Sequence, residues 1–255
     1  MNLEMGQYKP SRFKSNSQIA RVVTEAWGEK NLYCAACKAS RIIRLRHNTK
    51  AVDFRCDSCS AAYQLKSSRT WNERRIPDAG YNAMMEAIVQ DRTPNLLILQ
   101  YSPSWAVINL LLIPSFFFTM STIEKRKPLS QNARRAGWIG CNILLSAISS
   151  HGKLRVIRDG VETSPDNVRK HYQQTRPLSS VNAKARGWTL DVLRAVQKLE
   201  HSTFSLQDIY AAEEELAIAH PNNRNVRAKI RQQLQVLRDL GFLTFRDRGI
   251  YELRE

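Results

Sequence analysis

The sequence predicts an α/β (α+β) protein in two domains: a mixed-sheet domain over residues 1–182 with an inserted zinc ribbon, and a winged helix-turn-helix over residues 183–255. Three observations predict it. Two Cys-x-x-Cys knuckles, Cys34 with Cys37 and Cys56 with Cys59, stand at the separation of a zinc ribbon. Short apolar runs of strand type alternate with helix-period stretches through the first domain. The chain then closes on three helical patterns and a hairpin.

At 255 residues either domain can bury a core of its own. Lysine and arginine total 39 against 23 acidic residues, a formal charge of +16, so a polyanion is the natural partner. Nucleic acid is favoured over anionic lipid because the cations gather near motifs and form no single amphipathic helix. Four of the five cysteines are paired at metal spacing and no secretory apolar segment opens the chain. Reduced thiolates and a cytoplasmic location are therefore expected.

Taken in order, residues 1–14 are polar and basic and read as a loose arm. Ile19, Val22, Val23, Ala26 and Trp27 recur at helical spacing between Ser17 and Lys30, with Ser17 as the N-cap. Glu25 on this helix reads as a solvated glutamate in preference to one facing a site. The cysteine region carries two β-type runs, Val52-Asp53-Phe54 and Ala62 to Lys66. Alternation puts Gln64 and Lys66 on one face and turns Leu65 toward a core. If the runs pair, Asp53, Gln64 and Lys66 converge: an acid, an oxygen ligand and an amine, the set used in metal-dependent phosphodiester hydrolysis. The zinc site is expected to be structural, because four thiolates leave no coordination position open.

Ser67 to Pro77 reads as a loop, and Tyr81 to Asp91 as a helix with Met84, Met85, Ile88 and Val89 inward. Asn95 to Tyr101 and Trp105 to Ile113 read as buried strands joined by a Ser-Pro-Ser turn. The apolar span from Leu96 to Met120 is broken by Gln100, Pro103, Asn109 and Pro114, so it predicts strands and not a membrane helix. From Glu124 the character turns basic, and Arg134 and Arg135 lead into Gly137-Trp138-Ile139-Gly140. Glycines flanking an indole allow close backbone approach, and with the arginines they point to DNA contact. Leu154 to Ile157 with the Asp159-Gly160 turn predicts a last hairpin. Thr163 to Asn182 is polar without an apolar period, which places the domain boundary there.

In the C-terminal part, Leu190, Leu193, Val196 and Leu199 share one face of a helix from Thr189 to Glu200. Ser205 and Asp208 have capping-box spacing, with Phe204 as the hydrophobic staple. That second helix carries Glu213, Glu214 and Glu215 and should not face DNA. A third helix, Arg224 to Leu240, turns Val226, Ile230, Leu234 and Leu237 inward and presents Arg224, Arg227, Arg231, Gln235 and Arg238 on a separate face, with Gln232 beside it. Arginine and glutamine are the residue types that read guanine and adenine edges in the major groove. Phe242 to Phe245 and Ile250 to Leu253 form the wing.

A resemblance covers nearly the full length. It is carried by Lys14-Ser15-Asn16-Ser17-Gln18, the four cysteines, Val52-Asp53-Phe54, Leu65-Lys66-Ser67 and Arg126-Lys127-Pro128-Leu129, by the run Ala-Arg-Arg-Ala-Gly-Trp-Ile-Gly-Cys-Asn at 133–142, and by Lys-Ile-Arg-Gln-Gln-Leu-Gln-Val-Leu-Arg-Asp at 229–239. In these stretches the chain resembles the DpnI restriction endonuclease family, whose nuclease core is of the PD-(D/E)xK type. The family has Glu where this chain has Gln64. The resemblance implies a monomeric, methyl-directed type II endonuclease that cuts double-stranded DNA at adenine-methylated GATC. It implies Mg²⁺ held by Asp53, the residue at 64 and the Leu65 carbonyl, with Lys66 orienting or deprotonating the attacking water. Arg134, Arg135 and Trp138, and Arg224, Arg227, Arg231, Gln232 and Gln235, become the expected DNA contacts. A second reading, a zinc-ribbon and winged-helix regulator without hydrolysis, leaves Asp53 and Lys66 without a role.

Overall fold

The computed structural model describes residues 1–10, 13, 15–46 and 51–254. In chain order its elements begin with α1 (Asn16–Asn31), β1 (Ile43–Arg44), β2 (Phe54–Arg55), β3 (Ala62–Ser68), β4 (Arg75–Gly80) and α2 (Tyr81–Val89). Then come β5 (Asn95–Tyr101), β6 (Val107–Ile113), β7 (Ile123–Lys125), β8 (Gly140–Leu144), β9 (Leu154–Arg158), β10 (Val161–Glu162) and α3 (Pro165–Thr175). The chain ends with α4 (Ala183–Gln197), β11 (Thr203–Ser205), α5 (Leu206–Tyr210), α6 (Glu213–Ala219), α7 (Val226–Asp239), β12 (Leu243–Asp247) and β13 (Ile250–Leu253). Contacts divide it into two units: Met1–Glu73 with Arg92–Ser115 and Gly152–Arg176, and Arg74–Asp91 with Phe116–His151 and Pro177–Glu255.

The first unit is built on a seven-stranded sheet in the order β1-β2-β3-β5-β6-β9-β10. Among the described residues only β3 and β5 run parallel, so the sheet is mixed, as expected for the α/β class. β5 and β6 are buried along nearly their whole length, which explains their almost unbroken apolar sequences. Asn95 and Asn109 are the buried polar exceptions, and Asn95 is hydrogen-bonded at both ends of its amide. Its amide donates to the Ala62 carbonyl at 3.0 Å, and its oxygen accepts from Ser115 N–H at 3.0 Å and Tyr172 Oη at 3.1 Å. No helix among the described residues is long and apolar enough to cross a membrane.

Several expectations for this unit are corrected. The N-terminal residues are not a loose arm: Met5 is fully buried, its N–H donates to the Trp105 carbonyl at 2.7 Å, and the Asn2 carbonyl accepts from the Trp27 indole at 2.6 Å. Ser11, Arg12 and Lys14 of the predicted arm lie outside the described residues. The N-cap position of α1 is Ser15, whose side chain makes no capping hydrogen bond, and not Ser17. β3 continues through Ser67 and Ser68, so the predicted loop starts later. The polar stretch after Thr163 holds a helix, α3, capped by Ser164. It lacks an apolar period because one of its faces is spent on carbonyl groups.

In the second unit β4, β8 and β7 form a small antiparallel sheet that the sequence reading missed, having placed a loop at Arg75 and only a basic segment from Glu124. Helix α2 buries Ile88, but Val89, expected inside, is 58% exposed at the last helical position. The C-terminal helices enclose Val192, Leu193, Val196, Ile209, Leu216, Ile230, Leu234 and Leu237, with a three-stranded sheet in the order β11-β13-β12 as the wing. The Ser205–Asp208 capping box forms. α4 starts at Ala183, not Thr189, because the Asn182 side chain accepts from Ala185 N–H at 2.9 Å. The acidic middle helix is two short helices, α5 and α6, and Arg224 precedes α7.

Candidate active site and nucleic-acid interface

The two knuckles meet as their spacing predicts. The sulfurs of Cys34, Cys37, Cys56 and Cys59 all lie within 4.8 Å of one another, with Cys34–Cys59 at 3.5 Å and Cys37–Cys56 at 3.6 Å. A tetrahedral zinc with Zn–S bonds near 2.3 Å needs sulfur separations of about 3.8 Å, so this four-cysteine cluster can bind zinc. Burial pushes the Cys34 thiol pKa up. Burial also raises that of Cys56, but hydrogen bonds from the N–H groups of Cys59 and Ser58 and from the Cys37 and Cys34 thiols together outweigh it and bring the thiol down to about 7. Arg169 of α3 holds the knuckle from outside. Its Nε donates to the carbonyls of Cys34 (3.1 Å) and Cys37 (3.0 Å) and its Nη2 to that of Ala39 (3.1 Å). Gln173, one turn on, donates to the Ala36 carbonyl at 2.8 Å. Tyr63 ties the cluster to β3: its hydroxyl lies 3.2 Å from Cys34 Sγ and accepts from Ala35 N–H at 3.1 Å.

β3 carries Gln64, Leu65 and Lys66 immediately after that tyrosine. β2 pairs with it through Phe54 and Tyr63, and the Asp53 N–H donates to the Tyr63 carbonyl at 2.8 Å. Two positions on, Leu65 N–H donates to Asp53 Oδ2 at 2.7 Å. The pairing that brings Asp53 to the 64–66 segment therefore forms. Helix α1 lies against these strands because Gly28 leaves room; a Cβ there would come within 2.7 Å of the Phe54 ring. Thr24 Oγ1 lies 3.2 Å from Ser67 Oγ and fixes the next contact along.

The consequence is the placement of Glu25. It is 5% exposed, against the expected solvated glutamate, and it accepts from Arg21 Nε at 2.6 Å with Arg44 Nε 3.6 Å away. Burial raises the Asp53 pKa; the Leu65 N–H opposes that, the Glu25 charge adds to it, and Arg21 and Lys66 offset it. Glu25, Leu65 and Lys66 line one cavity of about 520 Å³, together with Arg21, Thr24 and Ser67. Gln64 and Asp53 are not among its lining residues. Leu65 is half-buried on the cavity wall and does not enter a core. The buried Glu25 and half-buried Asp53 carboxylates, with the Leu65 main-chain carbonyl, are hard oxygen donors, a set that fits a divalent cation such as Mg²⁺. The signal for Glu25 is its helical spacing from Gly28, the glycine that packs on the Phe54 ring: residues three apart share one face of α1.

The expected DNA contacts all fall in the second unit. Arg134 and Arg135 are exposed. Trp138 is half-buried, with the Arg135 guanidinium 4.5 Å from its ring centroid and Gly140 so close that a Cβ there would lie 2.9 Å from the indole. On α7 the predicted inward residues are buried, and Arg227, Arg231, Gln232 and Gln235 are exposed, as is Arg224 ahead of the helix. Two of these are already engaged: Arg227 Nε donates to Glu213 Oε2 at 2.7 Å and Arg231 Nη1 to Tyr210 Oη at 2.7 Å.

Comparison with known families agrees with this architecture. Residues 1–181 match the model of DpnI, described as the Dam-replacing family, and residues 184–253 match that of the Dam-replacing HTH domain. The two matches leave almost none of the chain unassigned. This protein therefore belongs to the DpnI (Dam-replacing) family of restriction-type, DNA-binding proteins.

Proposed function

We propose that the chain is a Mg²⁺-dependent type II endonuclease that hydrolyses double-stranded DNA at adenine-methylated GATC. The observation that carries this reading is the convergence of buried Glu25 with half-buried Leu65 and Lys66 on one cavity, beside an Asp53 whose burial opposes its charge. Asp53, the Leu65 carbonyl and the Gln64 amide oxygen hold the metal, and Glu25 supplies the second carboxylate that the neutral Gln64 lacks. Mg²⁺ held there would supply Lewis-acid polarisation of the scissile phosphate and of an attacking water. Lys66 orients that water through its ammonium donors and holds negative charge developing on the phosphate. Arg21 and Arg44 hold Glu25 in place.

Recognition is assigned to both domains, 1–182 and 183–255, acting as a monomer. A methyl on the adenine amine replaces a donor hydrogen in the major groove with an apolar group. Burying it against Trp138 contributes only about 1 kcal/mol. One such contact discriminates weakly, so Arg134 and Arg135 beside Trp138, and the α7 arginines and glutamines, together raise the ratio. The neutral Gln64 favours one alternative, a methyl-DNA reader that does not cut. Digestion of methylated plasmid with Mg²⁺ by wild type and Lys66→Ala separates them: cleavage lost only in the variant supports the nuclease, and no cleavage by either supports the reader.

A further inference from the structure

The cavity extends beyond the groups that metal-dependent hydrolysis needs. Its far wall is made by Lys9, Arg69, Tyr101 and Trp105. Tyr101 and Trp105 are stacked, with ring centroids 5.0 Å apart and planes within 7°, and Tyr101 is 6% exposed while Trp105 is half-buried. The Arg69 guanidinium sits beside both, 6.0 Å from the tyrosine centroid and 5.9 Å from the indole. Trp105 occupies the turn between β5 and β6 with φ of 67°, a left-handed conformation that bulky residues rarely adopt. The turn holds it there: its N–H donates to the Ser102 carbonyl at 3.0 Å and its carbonyl accepts from Met5 N–H at 2.7 Å. Strained backbone of this kind persists where surrounding structure over-determines it, often at ligand sites.

The charge of the cavity points the same way. Among the described lining residues Lys9, Arg21, Lys66 and Arg69 face a single acid, Glu25. A scissile phosphate in an intact duplex has no use for an indole; an unstacked base does. A volume near 520 Å³ is in the range of sites for whole small ligands. We infer that this wall is a nucleotide subsite, in which Trp105 stacks on one unpaired base of the scissile strand while Arg69 and Lys9 take its phosphate. The inference rests on the nuclease reading for its location but not for its test.

Wild-type full-length protein in Mg²⁺ is titrated with a labelled, 5′-phosphorylated thymidine trinucleotide, which contains no GATC and exposes every base. Base-aromatic stacking predicts that Trp105→Ala weakens binding roughly 5- to 100-fold. Trp105→Phe recovers most of the loss, and Arg69→Ala, at an exposed position, weakens binding even if Trp105→Ala fails to fold. Arg158→Ala, at an exposed position of β9 outside the cavity lining, leaves trinucleotide binding unchanged. No binding by wild type, or wild-type binding in both Trp105→Ala and Arg69→Ala, overturns the subsite and leaves Trp105 as packing for the N-terminal segment. Trinucleotide binding through Trp105 in a protein that never cuts methylated plasmid would refute the nuclease and keep the subsite.

Discussion

Asp53 is held where its ionised form is disfavoured. Burial is the main cause, the Glu25 charge adds to it, and the Leu65 N–H and two cations only partly offset it. A carboxyl whose folded pKa is raised binds more protons folded than unfolded just above the ordinary carboxylate range, so its contribution to stability falls as pH rises through that window. At neutral pH its charge is a net cost. Asp53→Asn keeps an oxygen to accept the Leu65 N–H and removes that cost. It is expected to melt no lower than wild type at pH 7 and to lose the advantage toward pH 4, read from thermal melts across pH, while cleavage is abolished. A clear drop in melting temperature at pH 7 would make Asp53 a structural residue. Gln64→Glu adds a hard donor, so Mg²⁺ should half-saturate cleavage at lower concentration than in wild type. Coincident Mg²⁺ curves for wild type, Gln64→Glu and Gln64→Ala would exclude residue 64 as a ligand.

Helix α3 and helix α1 show what periodicity can and cannot deliver. The strands β5 and β6, the knuckles, the capping box and α7 were legible because burial and spacing write directly into residue type. α3 was not, since Arg169 and Gln173 meet carbonyl oxygens of the knuckle and leave only Val168, Tyr172 and Thr175 buried. On α1 a buried glutamate reads as a solvated one until Gly28, three residues on, is seen to pack on Phe54. The small β4-β8-β7 sheet was hidden by its shortness and by the charged residues at its edges. Arg169→Ala removes three hydrogen bonds from a cation to the knuckle and should cost about 2–4 kcal/mol of stability. Zinc affinity in a chelator competition should fall about 10- to 100-fold, the usual effect of losing an outer-shell partner. Unchanged zinc retention would reduce α3 to a bystander.

Over the whole molecule, the charge of +16 and the family were readable from the sequence, whereas the grouping of Arg74–Asp91 and Phe116–His151 with the C-terminal helices was not. That grouping depends on contacts between segments far apart in the chain, which local pattern does not encode. DNA affinity should fall steeply with salt, since lysine and arginine contacts release counterions. Arg231→Ala should cost about 1–3 kcal/mol of binding to methylated duplex if it reads a base, or lower the salt slope by about one if it meets a phosphate. An anisotropy titration at several salt concentrations distinguishes the two, and no change in either would remove α7 from the interface.

The most direct test of the nuclease centre is digestion of adenine-methylated and unmethylated plasmid, with and without Mg²⁺, by wild type, Glu25→Gln and Lys66→Ala. Wild type should cut only the methylated plasmid and only with Mg²⁺. Glu25→Gln should be slowed, most at low Mg²⁺, and Lys66→Ala should be inert while still binding the DNA. Cleavage at the wild-type rate by both variants, or none by a zinc-loaded wild type that binds methylated duplex, would contradict a metal-dependent centre built on Glu25, Asp53 and Lys66.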